Sequence, residues 1–215
     1  MKKRSNKTAK FLMDLKQRYI DNKKAIRARL LQFAAVPPSE YFYELAYCLL
    51  TPQSSAAHAD HVVTLLHHAG FHYHPINPEP FLRRKECYIR FHKTKSRHLL
   101  QMKSQFPIIA QKLSEGCTAM EQREWLVNNV LGLGYKEASH FLRNIGKNNS
   151  LAILDRHILR NLERFGAIES IPPSITRKIY LEIEQRFAHF ARTIDIAMDE
   201  LDLLFWSMET GEIRK

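Results

Sequence analysis

Glycine is scarce in this chain, seven in 215 residues, and between the breakers apolar residues return every three or four positions. Phe11, Leu12, Leu15 and Tyr19, followed by Ile26, Leu30 and Phe33, show the spacing. That period gathers side chains on one face of a helix and does not match the alternation of a half-buried strand. Glycines and prolines divide the chain into about ten segments of helical length. The divisions fall at Pro37-Pro38-Ser39, Pro52, Gly70, Pro75 to Pro80, Pro107, Gly116, Gly132 to Gly134, Gly146, Gly166 and Pro172-Pro173. The predicted fold class is all-α. With 45% hydrophobic residues, the chain can build one large domain or two small lobes around a true core. No internal repeat is visible.

Some boundaries carry recognisable chemistry. Thr118 and Glu121 have the spacing of a reciprocal capping box, which opens a helix over "AMEQREWLVNNV". A second helix starts near Tyr135 and ends at Gly146, joined to the first by Leu131-Gly132-Leu133-Gly134. The two make a tight helix-hairpin-helix over 119–146. Glycines in such a turn permit positive φ and leave backbone N–H groups uncovered, which suits a phosphate. An ordinary αα-hairpin between core helices has the same signature.

Lys136 is the anomaly in this hairpin. It falls in the first turn of its helix, where the macrodipole disfavours a cation by a few tenths to about 1 kcal/mol. Nineteen residues later Asp155 precedes the helix 156–165 and is a natural N-cap, a role worth about 1 kcal/mol and sufficient to explain it. The separation of Asp155 from Lys136 is also what bringing two helix N-termini to one site would require.

The charge balance narrows the partners. Lys and Arg number 33 against 22 Asp and Glu, a net +11, which favours a polyanion. Between Arg83 and Lys103 lie eight basic residues, Lys93 and Lys95 among them, against the single acid Glu86, with Tyr88 and Phe91 interleaved. Arg156, Arg160 and Arg164 recur at four-residue spacing and share a helix face. Solvated helix faces or phosphate tracks both fit these stripes. The basic start, with Lys2, Lys3, Arg4, Lys7 and Lys10, fits added non-specific affinity or a disordered tail.

Other classes are disfavoured. Cys48, Cys87 and Cys117 are too few and too scattered for a disulfide framework or a zinc ribbon. The N-terminus lacks the apolar core of a signal peptide, about 7–15 residues, and no run reaches the roughly 18 residues of a membrane span. A cytoplasmic protein is expected. The eleven histidines, including His58, His61, His67, His68, His72 and His74, lack acidic or cysteine partners at metal-binding spacing.

The segments "LGLGYKEASHFLRNIG" and "AILDRHILRNL" resemble the helix-hairpin-helix DNA glycosylase/AP lyases, in particular the short 8-oxoguanine DNA glycosylases of archaea and some bacteria. "LLTPQSSA", "IRFHKTKSR" and the C-terminal "LDLLFWSMETGEIRK" extend the resemblance over most of the chain. It implies a single glycosylase domain over 1–215, with two helical lobes flanking a DNA-binding cleft and the hairpin followed by a Gly/Pro-Asp loop-type segment. The approximate lobes are 36–160, and 1–35 with 161–215. Lys136 would be the nucleophile and Asp155 the essential carboxylate.

That role would answer the anomaly. An amine attacks carbon only when neutral, so its pKa must fall toward working pH, and the positive potential at a helix start acts in that direction. A nearby carboxylate opposes the shift, so Asp155 is expected to stabilise positive charge developing on the deoxyribose. The resemblance further implies that a damaged purine is flipped from double-stranded DNA, excised through a lysine Schiff base, and followed by β-elimination.

Gly132 and Gly134 would hold a phosphate, and Arg156, Arg160, Lys93 and Lys95 would track the backbone. Gln53 matches the position of a side chain inserted into the gap, though a polar turn residue after Pro52 fits equally. Trp206, Phe91 and the terminal carboxylate of Lys215 would form the base pocket, with His92 as the alternative to Phe91. Trp206, taken alone, also reads as core. No cofactor is expected, and no iron-sulfur cluster, since no cysteine follows Cys117. A Na+ or K+ could sit on backbone carbonyls of Asn128, Val130 and Leu133. A monomer is expected, associated with the nucleoid. The rival readings are an abasic-site lyase or oxidised-pyrimidine glycosylase on the same fold, and a non-catalytic helix-hairpin-helix DNA-binding module.

Overall fold

The computed structural model describes residues 2–148 and 151–213, with side chains from residue 11 onward. Among the described residues there are ten α-helices, no strand, and no helix long and apolar enough to cross a membrane. The chain divides into two compact units, residues 35–147 and residues 1–34 with 148–215.

The central unit contains α2 (Tyr41–Leu50), α3 (Ala56–His68), the short α4 (Glu79–Leu82), α5 (His92–Ser114), α6 (Ala119–Asn129) and α7 (Tyr135–Asn144). Eight of the ten residues of α2 are buried, which is the mark of a helix packed on every side. It touches α3, α5 and α7. Phe42 anchors this core, stacked on His72 at 4.1 Å and set edge-on to Phe106 at 5.1 Å. Asn144 Nδ2 donates to Glu44 Oε2 at 3.0 Å and ties α7 to α2.

The terminal unit contains α1 (Lys2–Ala34), α8 (Arg156–Arg164), α9 (Arg177–Ile194) and α10 (Met198–Thr210). Helix α10 is the hub, in contact with the other three. Phe205 stacks on Phe165 at 5.5 Å and lies near-parallel to Phe187 at 6.0 Å. The expected stripe on α1 buries Leu15, Tyr19, Ile26 and Phe33. Glu200, buried on α10, accepts from Tyr19 Oη and, at 2.6 Å, from Arg27 Nε, so its charge is compensated on two sides.

Three features depart from the sequence reading. Pro107 does not end a helix but lies inside α5. It is exposed, so water can serve the Lys103 carbonyl that proline deprives of its hydrogen bond. Two breaks occur with no glycine at the turn, as Phe91 precedes α5 at φ +60° and Asp195 closes α9 at φ +58°. Finally, the units meet at 147/148, so residues 148–160, expected with the central helices, belong with the terminal ones. Leu151–Leu154 are buried, and α9 serves their backbone: Ala152 N–H donates to Glu184 Oε1 at 2.7 Å, and Tyr180 Oη donates to Ala152 O at 2.6 Å.

Candidate active site

The hairpin is built as its residues demand. Thr118 Oγ1 accepts from Glu121 N–H at 3.2 Å while Glu121 Oε2 accepts from Thr118 N–H at 2.8 Å, closing the capping box at the start of α6. Arg123, fully buried on α6, donates to Ser139 Oγ at 3.3 Å on α7, and Tyr135 Oη donates to Glu124 Oε2 at 2.6 Å. These bonds lock the two helices together beneath the turn.

Of the two hairpin glycines, only Gly132 uses positive φ, at +85°. A Cβ there would lie 2.1 Å from His98 Nδ1, so α5 presses its imidazole directly on the turn. Burial, and then the charges of Arg97 and Lys95, hold the His98 pKa below its ordinary value. Gly134 is extended, at φ −89° and ψ 179°, and is the N-cap of α7. Having no side chain, it caps none of the first N–H groups of α7, which leaves donors for an external acceptor. Asn128, Val130, Gly132, Leu133 and Gly134 line one open depression with Gln101.

Lys136 stands in that first turn, its side chain 25% exposed and its Nζ 3.6 Å from Glu137 Oε1. Glu137 was not singled out from sequence, although adjacency to Lys136 was the available signal. Its other oxygen, Oε2, lies 3.1 Å from where a Gly134 Cβ would sit. An uncapped helix start thus carries an amine with a carboxylate partner.

In the terminal unit Asp155 is the N-cap of α8. Its Oδ1 accepts from both His157 and Ile158 N–H at 2.8 Å, and Oδ2 has no hydrogen bond among the described residues. Trp206 is half-buried and not core. Its indole meets the His157 ring edge-on at 6.3 Å, two residues beyond Asp155. Glu209 supports the pair, with Oε2 3.9 Å from His157 Nδ1 and Oε1 accepting from Asn161 Nδ2 at 3.3 Å. His157 and Glu209 carried no sequence signal. Arg156, Arg160 and Arg164 are exposed on α8. Lys215 lies outside the described residues.

Gln53 and Phe91 are both exposed, and both are held at positive φ, +54° and +60°. Strained backbone of this kind concentrates at functional positions. Lys93 is exposed, as a phosphate contact requires. Lys95 is not: it is 5% exposed and donates to Leu50 O at 2.7 Å, Pro52 O at 2.6 Å and Ser54 Oγ at 3.1 Å. Its assignment as a DNA contact is corrected accordingly, because an ammonium whose three hydrogens are spent on internal oxygens has none for a phosphate. Among the described residues, no group of three or more His, Cys, Asp or Glu is arranged to hold a metal ion.

Comparison with known proteins identifies the family. The family model described as 8-oxoguanine DNA glycosylase matches residues 26–196. The 8-oxoguanine DNA glycosylase/AP lyase of Fusobacterium nucleatum is 40% identical over 179 residues, spanning 80% of this chain and 81% of that protein. The crystal structure of the Thermotoga maritima 8-oxoguanine DNA glycosylase superposes with a TM-score of 0.84 at 27% identity, covering 97% of this chain and all of that one. That of the Methanocaldococcus jannaschii 8-oxoguanine glycosylase/lyase, in complex with a 15mer DNA containing 8-oxoguanine, gives 0.84 at 31% identity over 95% of this chain and 99% of that one. Matched by that family model over most of its length and by a relative 40% identical, the chain belongs to the 8-oxoguanine DNA glycosylase family of helix-hairpin-helix proteins.

Proposed function

We propose that this protein is a bifunctional DNA glycosylase/AP lyase that removes 8-oxoguanine from duplex DNA and cuts the strand at the site. The observation that carries the proposal is Lys136, a partly exposed amine paired with Glu137 at a helix start that Gly134 leaves uncapped. A module that merely grips DNA needs phosphate contacts but no nucleophile, so Lys136→Gln would change its affinity only modestly.

The Lys136 nitrogen bonds to C1′ as the bond from C1′ to the purine breaks. The base leaves with that electron pair and a proton. The nitrogen lone pair then opens the sugar, O4′ taking a proton from water as its bond to C1′ breaks and a protonated Schiff base forming. Removal of a proton from C2′ runs electrons to that nitrogen, and the 3′ phosphate leaves as its bond to C3′ breaks. Asp155, with Oδ1 committed to capping, offers Oδ2 to positive charge developing on the sugar.

The turn at Gly132 and Gly134, the uncapped N–H groups that open α7, Lys93, Arg156 and Arg160 hold phosphates. Gln53 fills the gap left by the flipped base, while Trp206 and Phe91 supply faces for it. A Na+ or K+ fits the depression lined by Asn128, Val130 and Leu133, where it would neutralise phosphate charge; the chemical steps above run on the chain's own groups.

Borohydride reduction tests the mechanism, because it freezes a Schiff base covalently. Wild type on duplex carrying one 8-oxoguanine should give a trapped adduct, and Lys136→Gln or undamaged duplex should give none. An adduct formed equally by Lys136→Gln, or none from wild type on either 8-oxoguanine or an abasic site, would overturn the proposal.

A further inference from the structure

Lysine is almost never fully buried unless its charge is satisfied, and Lys95 is satisfied in an unusual way. Its three acceptors all come from residues 50–54: the carbonyls of Leu50 and Pro52 and the hydroxyl of Ser54. Pro52 and Ser54 are the immediate neighbours of Gln53, so the ammonium grips the chain on both sides of that residue. Gln53 itself faces outward at φ +54°, a conformation an L-residue with a Cβ adopts only when its surroundings impose it.

The backbone of the same residue reaches Phe91. Lys95 N–H donates to Phe91 O at 3.0 Å in the first turn of α5, one helical turn from the left-handed Phe91. Ser54 Oγ, besides accepting from Lys95, accepts from Arg90 N–H at 3.0 Å, and His58 Nδ1 lies 3.2 Å from Tyr88 O. The Ser54 hydroxyl therefore joins the ammonium that holds 50–54 to the neighbouring turn 88–91. Each turn displays an exposed side chain on strained backbone.

We infer that Lys95 is a positioning residue, an internal clamp that sets the backbone of Gln53 for insertion into lesion-opened duplex. The inference rests on the role given to Gln53 above. It also converts a residue that looked like part of a phosphate track into one that acts without touching DNA. Misplacement of a substrate-gripping group by about 1 Å can reduce rate by as much as 100-fold, so loss of the clamp should be felt in the lesion step.

The test is a double-mutant cycle on 8-oxoguanine excision under single-turnover conditions, with cleavage of a preformed abasic site as reference. Lys95→Met keeps the length and apolar stem and removes all three donors. It should lower excision by roughly tenfold or more and abasic cleavage far less, since the missing base already leaves the gap open. The double variant Lys95→Met/Gln53→Ala should be no slower than Gln53→Ala, because two changes on one path do not add. Should Lys95→Met fold poorly, Ser54→Ala, which removes one acceptor and the Arg90 tie, should show the same pattern at smaller size.

Additive effects, equal losses on both substrates, or normal excision by both Lys95→Met and Ser54→Ala would overturn the clamp. So would a Gln53→Ala variant as active as wild type. These outcomes are distinct from failure of the function itself, which would show as absence of any borohydride adduct from wild type.

Discussion

Replacement of Gly132 by alanine probes the closest approach in the hairpin. Two separate penalties apply. An alanine at φ +85° sits in the left-handed region, at roughly 1–2 kcal/mol, partly offset by about 0.4–1 kcal/mol because alanine restricts the unfolded chain more than glycine does. The new Cβ would also lie 2.1 Å from Nδ1, 2.7 Å from Cε1 and 3.0 Å from Cγ of His98, so the imidazole must leave its place at about 1–3 kcal/mol. The sum is about 2–4 kcal/mol, read as a shift in the urea midpoint at constant slope.

The two penalties can be separated, because only the second needs His98. In a His98→Ala background the same glycine replacement should cost about 1 kcal/mol or less, leaving a coupling of roughly 1–3 kcal/mol between the positions. Gly134→Ala is the control. Its φ of −89° suits any residue, and the nearest atom, Glu137 Oε2 at 3.1 Å, ends a side chain that can move. That variant should lose less than about 1 kcal/mol, mostly because alanine is a poorer N-cap than glycine. A Gly132→Ala protein within about 0.5 kcal/mol of wild type, or equally destabilised with and without His98, would refute the reasoning.

Two further outcomes are expected. Desolvation draws the Lys95 pKa from 10.5 down to about 8, against the pull of Glu137, so between those pH values the unfolded chain binds more protons than the folded one. Stability of wild type relative to Lys95→Met should accordingly rise with pH across that window, by at most about 3 kcal/mol since the three acceptor oxygens favour the ammonium, and lie level below it; parallel urea-unfolding curves against pH for the two proteins would contradict this. Asp155→Asn keeps a good N-cap and should change stability by less than about 0.5 kcal/mol while 8-oxoguanine excision falls by about 100-fold or more, whereas Asp155→Ala should lose the cap as well, about 1 kcal/mol; normal excision by Asp155→Asn would remove the carboxylate from the mechanism.

Much of the fold was legible because much of it is local. The periodicity of α1, the capping box at Thr118 and Glu121, the glycine turn and the cap at Asp155 each depend on residues within a few positions of one another. Backbone hydrogen bonds at such range are specified by residue type and spacing alone. The same locality made Lys136 conspicuous, since a cation in a first helical turn is anomalous before any tertiary contact is known.

Tertiary structure decided the rest. Nothing near Lys95 in the chain distinguishes it from Lys93, two residues away; its burial follows from acceptors 41 to 45 positions distant that meet it only after α2 and α5 pack. Phe91 and Gln53 hold left-handed backbone without glycine because remote bonds impose it, and Pro107 is carried within α5 at an exposed position. Residues 151–154 join the terminal helices because Glu184 and Tyr180 accept and donate there. Sequence by itself determined the helices and their caps, because those are matters of neighbouring residues, and it singled out Lys136 and Asp155 as the candidate pair. Which lysine meets solvent and which is spent holding a turn depends on what the packed chain brings alongside it, and only the tertiary structure contains that.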